Sequence, residues 1–315
     1  MTARRTVIAV HGGAGQLPRR RREYPGRRDI EQGIAEAVRT GQHLLVKGGS
    51  AVRAVAAAVT VLEDNELFNA GRGAALCTDG TVELSASIMS GRTRAAGAMV
   101  GLKRTRNPVL AALKLMEHAH CMLFGSQADV YAAGAGLEQV SPEYFRTQYR
   151  ERQLQRQKKR GNSTALDHND ESLHGTVGAV ALDRRGNLAA ATSTGGLVNQ
   201  LAGRVGDTPV IGSGTWADNN VCAITATGKG DAFARVAFAR RVADLIELTE
   251  AAPQAAAATA LQEVADVKGE GGCLMLTSDG QLIMPFTTSQ MVRGWTIDRD
   301  SPKVALFPDE AVVVD

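Results

Sequence analysis

Aromatic residues make up only 4% of this 315-residue chain: two Trp, four Tyr and seven Phe. Cysteine is just as sparse. Cys77, Cys121, Cys222 and Cys273 are scattered with no CxxC pair, which excludes a disulfide scaffold and a zinc ribbon, and all four read as small buried residues. No apolar run approaches the ~18 residues of a membrane span. The short run at 6–10 meets His11-Gly12-Gly13 too soon to form the apolar part of a secretory signal, so a cytoplasmic protein is expected. Charge of either sign is nearly balanced, with 36 Lys and Arg against 33 Asp and Glu. The small basic excess gathers at 19–28 and 146–160, and neither tract interleaves base-stacking aromatics. Both read as solvated loops, and neither nucleic acid nor membrane is an expected partner. What the chain does have is 44% hydrophobic residues, 34 glycines and enough length for one large domain or two ordinary ones.

Apolar spacing of three to four predicts a helix over 29–47 with Asp29 as N-cap, and a second over 50–62 capped by Ser50. Strands are expected near 81–89 and at 95–102. A helix over 109–118 follows, with Pro108 in its first turn, and another lies over 128–137. His118-Ala119-His120-Cys121 has no further ligand at metal spacing and reads as a helix end. From 146 to 172 the composition turns polar, too poor in apolar residues to order well; its first part reads as helical and 161–171 as an exposed connector. Beyond it the pattern is β. Runs at 176–182 and 188–194 are joined by Asp183-Arg184-Arg185-Gly186-Asn187 as a hairpin, with Thr176, Gly178, Val180 and Leu182 on one face. Further strands fall at 221–227, 272–277 and 282–285, with helices over 231–248 and 251–264. No internal repeat is present, and the connector is the one boundary.

The chemistry centres on His174-Gly175-Thr176-Val177-Gly178, where a charged tract gives way to a β run through a small residue and a threonine. This suits a chain that cuts itself between Gly175 and Thr176. A threonine hydroxyl is a weak nucleophile until a base takes its proton. Cleavage would give Thr176 a free α-amine, which titrates near ~7.7–8.0 in peptides and can serve as that base, so no histidine is needed. Downstream, Thr192-Ser193-Thr194-Gly195-Gly196 ends a strand in hydroxyls. Arg204 and Asp207 supply the cation and carboxylate that an α-amino acid requires. Thr227-Gly228-Lys229-Gly230 runs from strand to helix, where N–H groups meet developing negative charge. It is not a P-loop, because Ala223 holds the first glycine position and Gly230 follows the lysine. His11-Gly12-Gly13-Ala14-Gly15 lacks the G-x-G-x-x-G spacing of a dinucleotide fold. The loop at 62–73, with polar Asn69, is either a plain connection or a carbonyl-lined cation loop.

Taken together, Gly175-Thr176-Val177-Gly178-Ala179-Val180-Ala181-Leu182, Ser193-Thr194-Gly195-Gly196, Gly203-Arg204-Val205-Gly206-Asp207 and Thr227-Gly228-x-Gly230 resemble the plant-type (type III) L-asparaginase/isoaspartyl peptidase family of N-terminal-nucleophile hydrolases. The resemblance extends to His11-Gly12-Gly13-Ala14-Gly15, Phe68-Asn69-Ala70-Gly71-x-Gly73 and Arg106-Asn107-Pro108-Val109, and fades in the two basic tracts. It implies an α+β fold, a four-layer αββα sandwich. It also implies self-cleavage into an α subunit (1–175, with the connector at about 146–175) and a β subunit (176–315), paired as (αβ)2. By that resemblance Thr176 is the nucleophile and Thr194 supports it. Arg204 and Asp207 hold the substrate's α-carboxylate and α-amine. Thr227 and Gly228 form the oxyanion hole, with Asn69 beside the substrate, and Gly230 offers its carbonyl to the amine. Backbone carbonyls of Leu62, Glu63, Asn65, Phe68, Ala70 and Arg72 would hold a structural sodium ion, and no cofactor is needed for the chemistry. The expected substrates are L-asparagine and β-aspartyl dipeptides. A glycosylasparaginase-type hydrolase and a non-catalytic homologue are the alternatives. The chain departs from the family pattern at Ser85, Ser90 and Asp231, and nothing in the sequence explains the arginines at 19–28.

Overall fold

A computed structural model of the chain describes residues 5–16, 26–159 and 175–314. Most of the first basic tract (19–25) and the connector at 161–171 lie outside the described residues. In chain order the elements are β1 (Val7–Gly15), α1 (Arg27–Val46), α2 (Ala51–Asp64), β2 (Leu84–Ser90), β3 (Ala96–Leu102), α3 (Pro108–Leu115), β4 (Met122–Phe124), α4 (Gly125–Gly134) and α5 (Gln148–Lys159). They continue with β5 (Val177–Leu182), β6 (Leu188–Thr194), β7 (Thr215–Ala217), β8 (Cys222–Gly228), α6 (Gly230–Val236), α7 (Phe238–Thr249), α8 (Pro253–Asp266), β9 (Gly271–Thr277), β10 (Leu282–Ile283), β11 (Gln290–Ile297), β12 (Lys303–Ala305) and β13 (Val312–Val313). This mixture of helices with largely antiparallel sheet is an α+β fold.

Among the described residues two sheets form, one of nine strands in the order β13-β12-β11-β1-β5-β6-β2-β3-β4 and one of four in the order β10-β9-β8-β7. The period-two alternation of the central strands explains their packing. Ile8, Val10, Val177, Ala179, Ala181 and Ala191 point to α1 and α2, where they meet Ile34, Val38, Val55 and Val59. Their neighbours Val7, Ala9, Val180, Leu182 and Ala190 point the other way, against Ala223, Leu274 and Leu276 of the small sheet. The far side of the small sheet, with Ile224, Ala226 and Met275, meets Phe233, Phe238, Val242 and Leu261 of α6, α7 and α8. Strands β5 and β6 are buried on both faces, which is why they read as nearly unbroken apolar runs.

Several boundaries differ from expectation. Helix α1 starts at Arg27, so Asp29 lies in its first turn and Gly26, at φ 87°, takes the N-cap place. Ser50 caps α2 as expected, accepting from the Arg53 N–H at 3.4 Å. The single helix expected over 231–248 is two, broken at Ala237 where φ is 51°. Strand β1 carries on through the glycines to Gly15, bulged between His11 and Gly13, and gains β11 as a partner. The 118–121 segment leaves α3 and leads into β4, a strand absent from the sequence reading. Among the described residues no group of His, Cys, Asp and Glu is placed to hold a metal ion. Cys77, Cys222 and Cys273 are buried and Cys121 is exposed; all four are free thiols.

The basic tracts are the main correction. Arg27 is not a solvated residue: it pairs with Glu31 at 2.8 Å and with Glu310. The second tract forms α5 as far as Lys159, and Arg150, Gln153, Leu154 and Gln157 on its inner face are buried. Among the described residues no helix is long and apolar enough to cross a membrane.

Candidate active site

The β5–β6 hairpin sets the centre of the site. Val177 pairs with Ser193, so continuing that antiparallel register puts Thr176 opposite Thr194. Both are buried, and the Thr176 hydroxyl donates to Thr194 Oγ1 at 3.3 Å. The Gly196 N–H also donates to Thr194 Oγ1, at 3.0 Å, which fixes that hydroxyl's orientation. Alternation sends Ser193 to the opposite face, where its hydroxyl donates to Glu63 of α2 at 2.6 Å. Glu63 Oε1 accepts the Val109 N–H as well, at 3.0 Å. Burial pushes the Glu63 carboxyl up to about 8, with the hydrogen bonds from Ser193 and Val109 opposing.

Gly175 is wedged between the end of β1 and the end of β8. A Cβ on Gly13, where φ is +118°, would lie 2.4 Å from the Gly175 nitrogen, so that approach demands glycine at 13. A Cβ on Gly175 would lie 2.8 Å from Thr227 Oγ1. Thr227 is fully buried and accepts the Ala14 N–H at 3.2 Å. The structure therefore sets the Thr227 hydroxyl beside Gly175, the residue before Thr176.

These residues meet at a cavity of about 50 Å³, space for a few waters, whose walls include Thr176, Thr194, Asn69, Gly175, Gly228 and Gly230. Arg204 and Asp207 line it too, although the loop that carries them crosses from the large sheet to the small one. Arg204 is held by Asp231, at 2.7 Å, and by Gln200 Oε1 at 3.3 Å. Asp207 is buried, and among the described residues its Oδ2 has no hydrogen-bond partner. Burial pushes its carboxyl up to about 7, with Arg204 pulling it back down. Gly230 opens α6 between the two charges: a Cβ there would lie 2.5 Å from Asp207 Oδ1 and 3.1 Å from Arg204 Nη2. Asn69 ties the wall together, donating to the Gly196 carbonyl at 2.7 Å and accepting the Ala75 N–H at 2.8 Å.

The proposed cation loop is crowded with neutral oxygens, the donor type an alkali cation takes. Cβ atoms on Gly71 and Gly73 would lie 2.3 Å from the Glu63 carbonyl oxygen and 2.2 Å from that of Phe68. The Leu62, Asn65 and Ala70 carbonyls each accept one backbone N–H, which leaves each a second lone pair. Arg72 points its side chain outward over the Tyr144 ring, 4.9 Å away, leaving its backbone to the loop.

Three features escaped the sequence reading. His11, on β1 opposite Gly178, is fully buried with Nε2 3.0 Å from Thr225 Oγ1. Burial pushes its imidazole down to about 3, the neighbouring Thr176 backbone opposing, so it stays neutral. Thr225 continues through Thr192 at 2.8 Å to Thr215, and Ser87 joins Thr215 at 2.7 Å, forming a buried hydroxyl chain between the sheets. Arg150 of α5 lines the cavity. The signal for it was present, since positions 150, 153, 154 and 157 follow a helical stripe; the polarity of Arg150, Gln153 and Gln157 hid it.

A family model described as asparaginase matches residues 4–306. The isoaspartyl peptidase of Escherichia coli K12 is 40% identical over 321 residues, covering 98% of each chain. The isoaspartyl peptidase/L-asparaginase of Homo sapiens is 37% identical over 312 residues, again 98% of each. That of Rattus norvegicus is 40% identical over 287 residues, covering 90% of this chain and 84% of its own.

Proposed function

The chain belongs to the asparaginase family, and from that membership we propose that it is a hydrolase that cuts itself before Thr176 and then releases L-aspartate from L-asparagine and β-aspartyl dipeptides. The observation that carries this reading is the Thr176 hydroxyl, 3.3 Å from Thr194 Oγ1, in a cavity shared with Arg204, Asp207 and Gly230. In the uncut chain that cavity has room only for waters and Gly175 forms part of its wall. Cleavage frees the Thr176 amine and releases Gly175 from the bond that holds it in the cavity wall.

Arg204 then takes the substrate α-carboxylate and Asp207 the α-amine. Binding a cation returns Asp207 to its ionised form. The Thr176 amine takes the hydroxyl proton while Oγ1 attacks the side-chain carbonyl carbon, and the oxygen that becomes negative is met by Gly228 and Thr227. The C–N bond breaks as the amine's proton passes to the departing ammonia or amino acid. Water then cleaves the threonyl ester, yields L-aspartate and restores the hydroxyl.

The same proposal takes residues 1–175 and 176–315 as the α and β subunits of one four-layer αββα domain; the three apolar cores support four layers. It includes an (αβ)2 assembly, with which the exposed apolar side chains Phe124, Val130 and Val205 accord. Backbone carbonyls of Leu62, Glu63, Asn65, Phe68, Ala70 and Arg72 would hold a sodium ion, whose part is to fix the loop beneath Asn69 and Thr194. A denaturing gel with N-terminal sequencing tests maturation: two fragments, the smaller beginning Thr-Val-Gly, are expected, and Thr176→Ala should stay one inactive chain. A wild-type chain that remains whole would favour a non-catalytic homologue. Activity on aspartylglucosamine alone would favour a glycosylasparaginase.

A further inference from the structure

Arg150 is a buried cation that the reaction just described does not use. It is 2% exposed, on a helix otherwise dominated by solvated charge. Its Nε donates to the Gly73 carbonyl at 2.6 Å and its Nη1 to Gln153 Oε1 at 2.9 Å, and its guanidinium lies 5.4 Å from the Tyr149 ring centroid. Among the described residues no carboxylate pairs with it, and its Nη2 has no hydrogen-bond partner. Burial pulls its basicity down to about 10, so it remains a cation at neutral pH. A buried guanidinium without an anion is costly unless some ligand supplies one.

Counting charges in the cavity indicates which anion. The aspartyl half of a substrate brings one carboxylate and one ammonium, and Arg204 and Asp207 answer both. The same cavity holds a second cation in Arg150, together with Gln153. L-asparagine has nothing further to offer it. A β-aspartyl dipeptide does: its departing residue carries a free C-terminal carboxylate. A guanidinium fork whose Nε and Nη1 are already anchored presents Nη2 in a fixed direction, as recognition of a carboxylate requires.

We propose that Arg150 binds the C-terminal carboxylate of the departing amino acid, so that α5 gives this enzyme its preference for β-aspartyl dipeptides over asparagine and over C-terminally blocked peptides. This rests on the functional reading above. It assigns a specificity role to the end of the α subunit, from a stretch whose sequence looks like a solvated tract.

The test compares β-aspartyl-leucine, β-aspartyl-leucinamide and L-asparagine as substrates of the fully cleaved wild-type protein and of Arg150→Met. The wild type should favour the free dipeptide over its amide by roughly 30-fold or more in kcat/KM, the scale of one desolvated charge-assisted contact. Arg150→Met should remove that preference, mainly through KM, and leave L-asparagine turnover within about threefold, because asparagine makes no such contact. Equal wild-type rates on dipeptide and amide, with asparagine also hydrolysed, would overturn this proposal alone and need no variant that folds. An equal loss on all three substrates in Arg150→Met would also overturn it, making Arg150 a support of the cavity wall. A wild type inactive on all three would instead overturn the functional reading, and this proposal with it.

Discussion

Replacing Gly230 by alanine should separate folding and self-cleavage from substrate hydrolysis. Gly230 opens α6, where alanine is the better helix former by up to about 1 kcal/mol. Against that gain stands its position between Arg204 and Asp207, the two charges proposed to hold substrate. The new Cβ would lie 2.5 Å from Asp207 Oδ1 and 3.1 Å from Arg204 Nη2. Ordinary contact needs roughly 3.5 Å, so the carboxylate must retreat by about 1 Å from the place where it would meet an ammonium. Asp207 is buried, and that retreat would cost most of the proposed contact with the substrate ammonium. Losing one partner of a desolvated charge pair costs about 2–5 kcal/mol. At 1.4 kcal/mol per factor of ten, kcat/KM should fall roughly 30- to 4,000-fold. Gly175 lies instead against Gly13, Ala14 and Thr227, and the new methyl does not reach it. Cleavage followed on denaturing gels should therefore keep the parent time course, and the melting temperature should stay within about 3 °C. Hydrolysis of β-aspartyl-leucine by the cut variant at the parent rate would refute the placement of substrate between Arg204 and Asp207. Arrested cleavage would refute the separation of the two steps.

Two further outcomes follow from buried polar groups. Glu63 is pushed up to about 8 from 4.5, so its contribution to stability is complete below about pH 4.5 and is lost as pH rises through about 8, a loss of a few kcal/mol. In a Thr176→Ala background, expected to keep one chain, Glu63→Gln should flatten the fall in melting temperature between pH 5 and pH 8, since Gln Oε1 can still accept from Ser193 and Val109; parallel curves for the two proteins would falsify this. Thr227→Val should slow self-cleavage as well as turnover, because the hydroxyl lies where a Cβ on Gly175 would be 2.8 Å away, and removing it leaves the Ala14 N–H unpaired, at about 1–3 kcal/mol. A cleavage time course matching that of the parent would show that the contact is passive.

Much of this protein was legible from local pattern. The β5–β6 hairpin, with its Asp183–Asn187 turn and alternating faces, follows from neighbours in sequence, and so does the register that sets Thr176 against Thr194. Ser50 was recognisable as a cap for the same reason. The motif strings Gly175-Thr176, Arg204 to Asp207 and Thr227 to Gly230 indicated the chemistry because each depends on residue type at short spacing. Only the tertiary structure decided which distant groups meet. Gly13 approaches Gly175 because β1 lies beside β5, and Glu63 reaches Ser193 because α2 crosses the large sheet. Gly230 falls between Arg204 and Asp207 because the small sheet packs face to face with the large one. Arg150 shows the limit most directly. Composition describes the average surroundings of a tract, and an average over Arg, Gln and Lys says solvent; burial of one side chain depends on which helix face meets the rest of the fold, and that is set by contacts as distant in sequence as Gly73, 77 residues away.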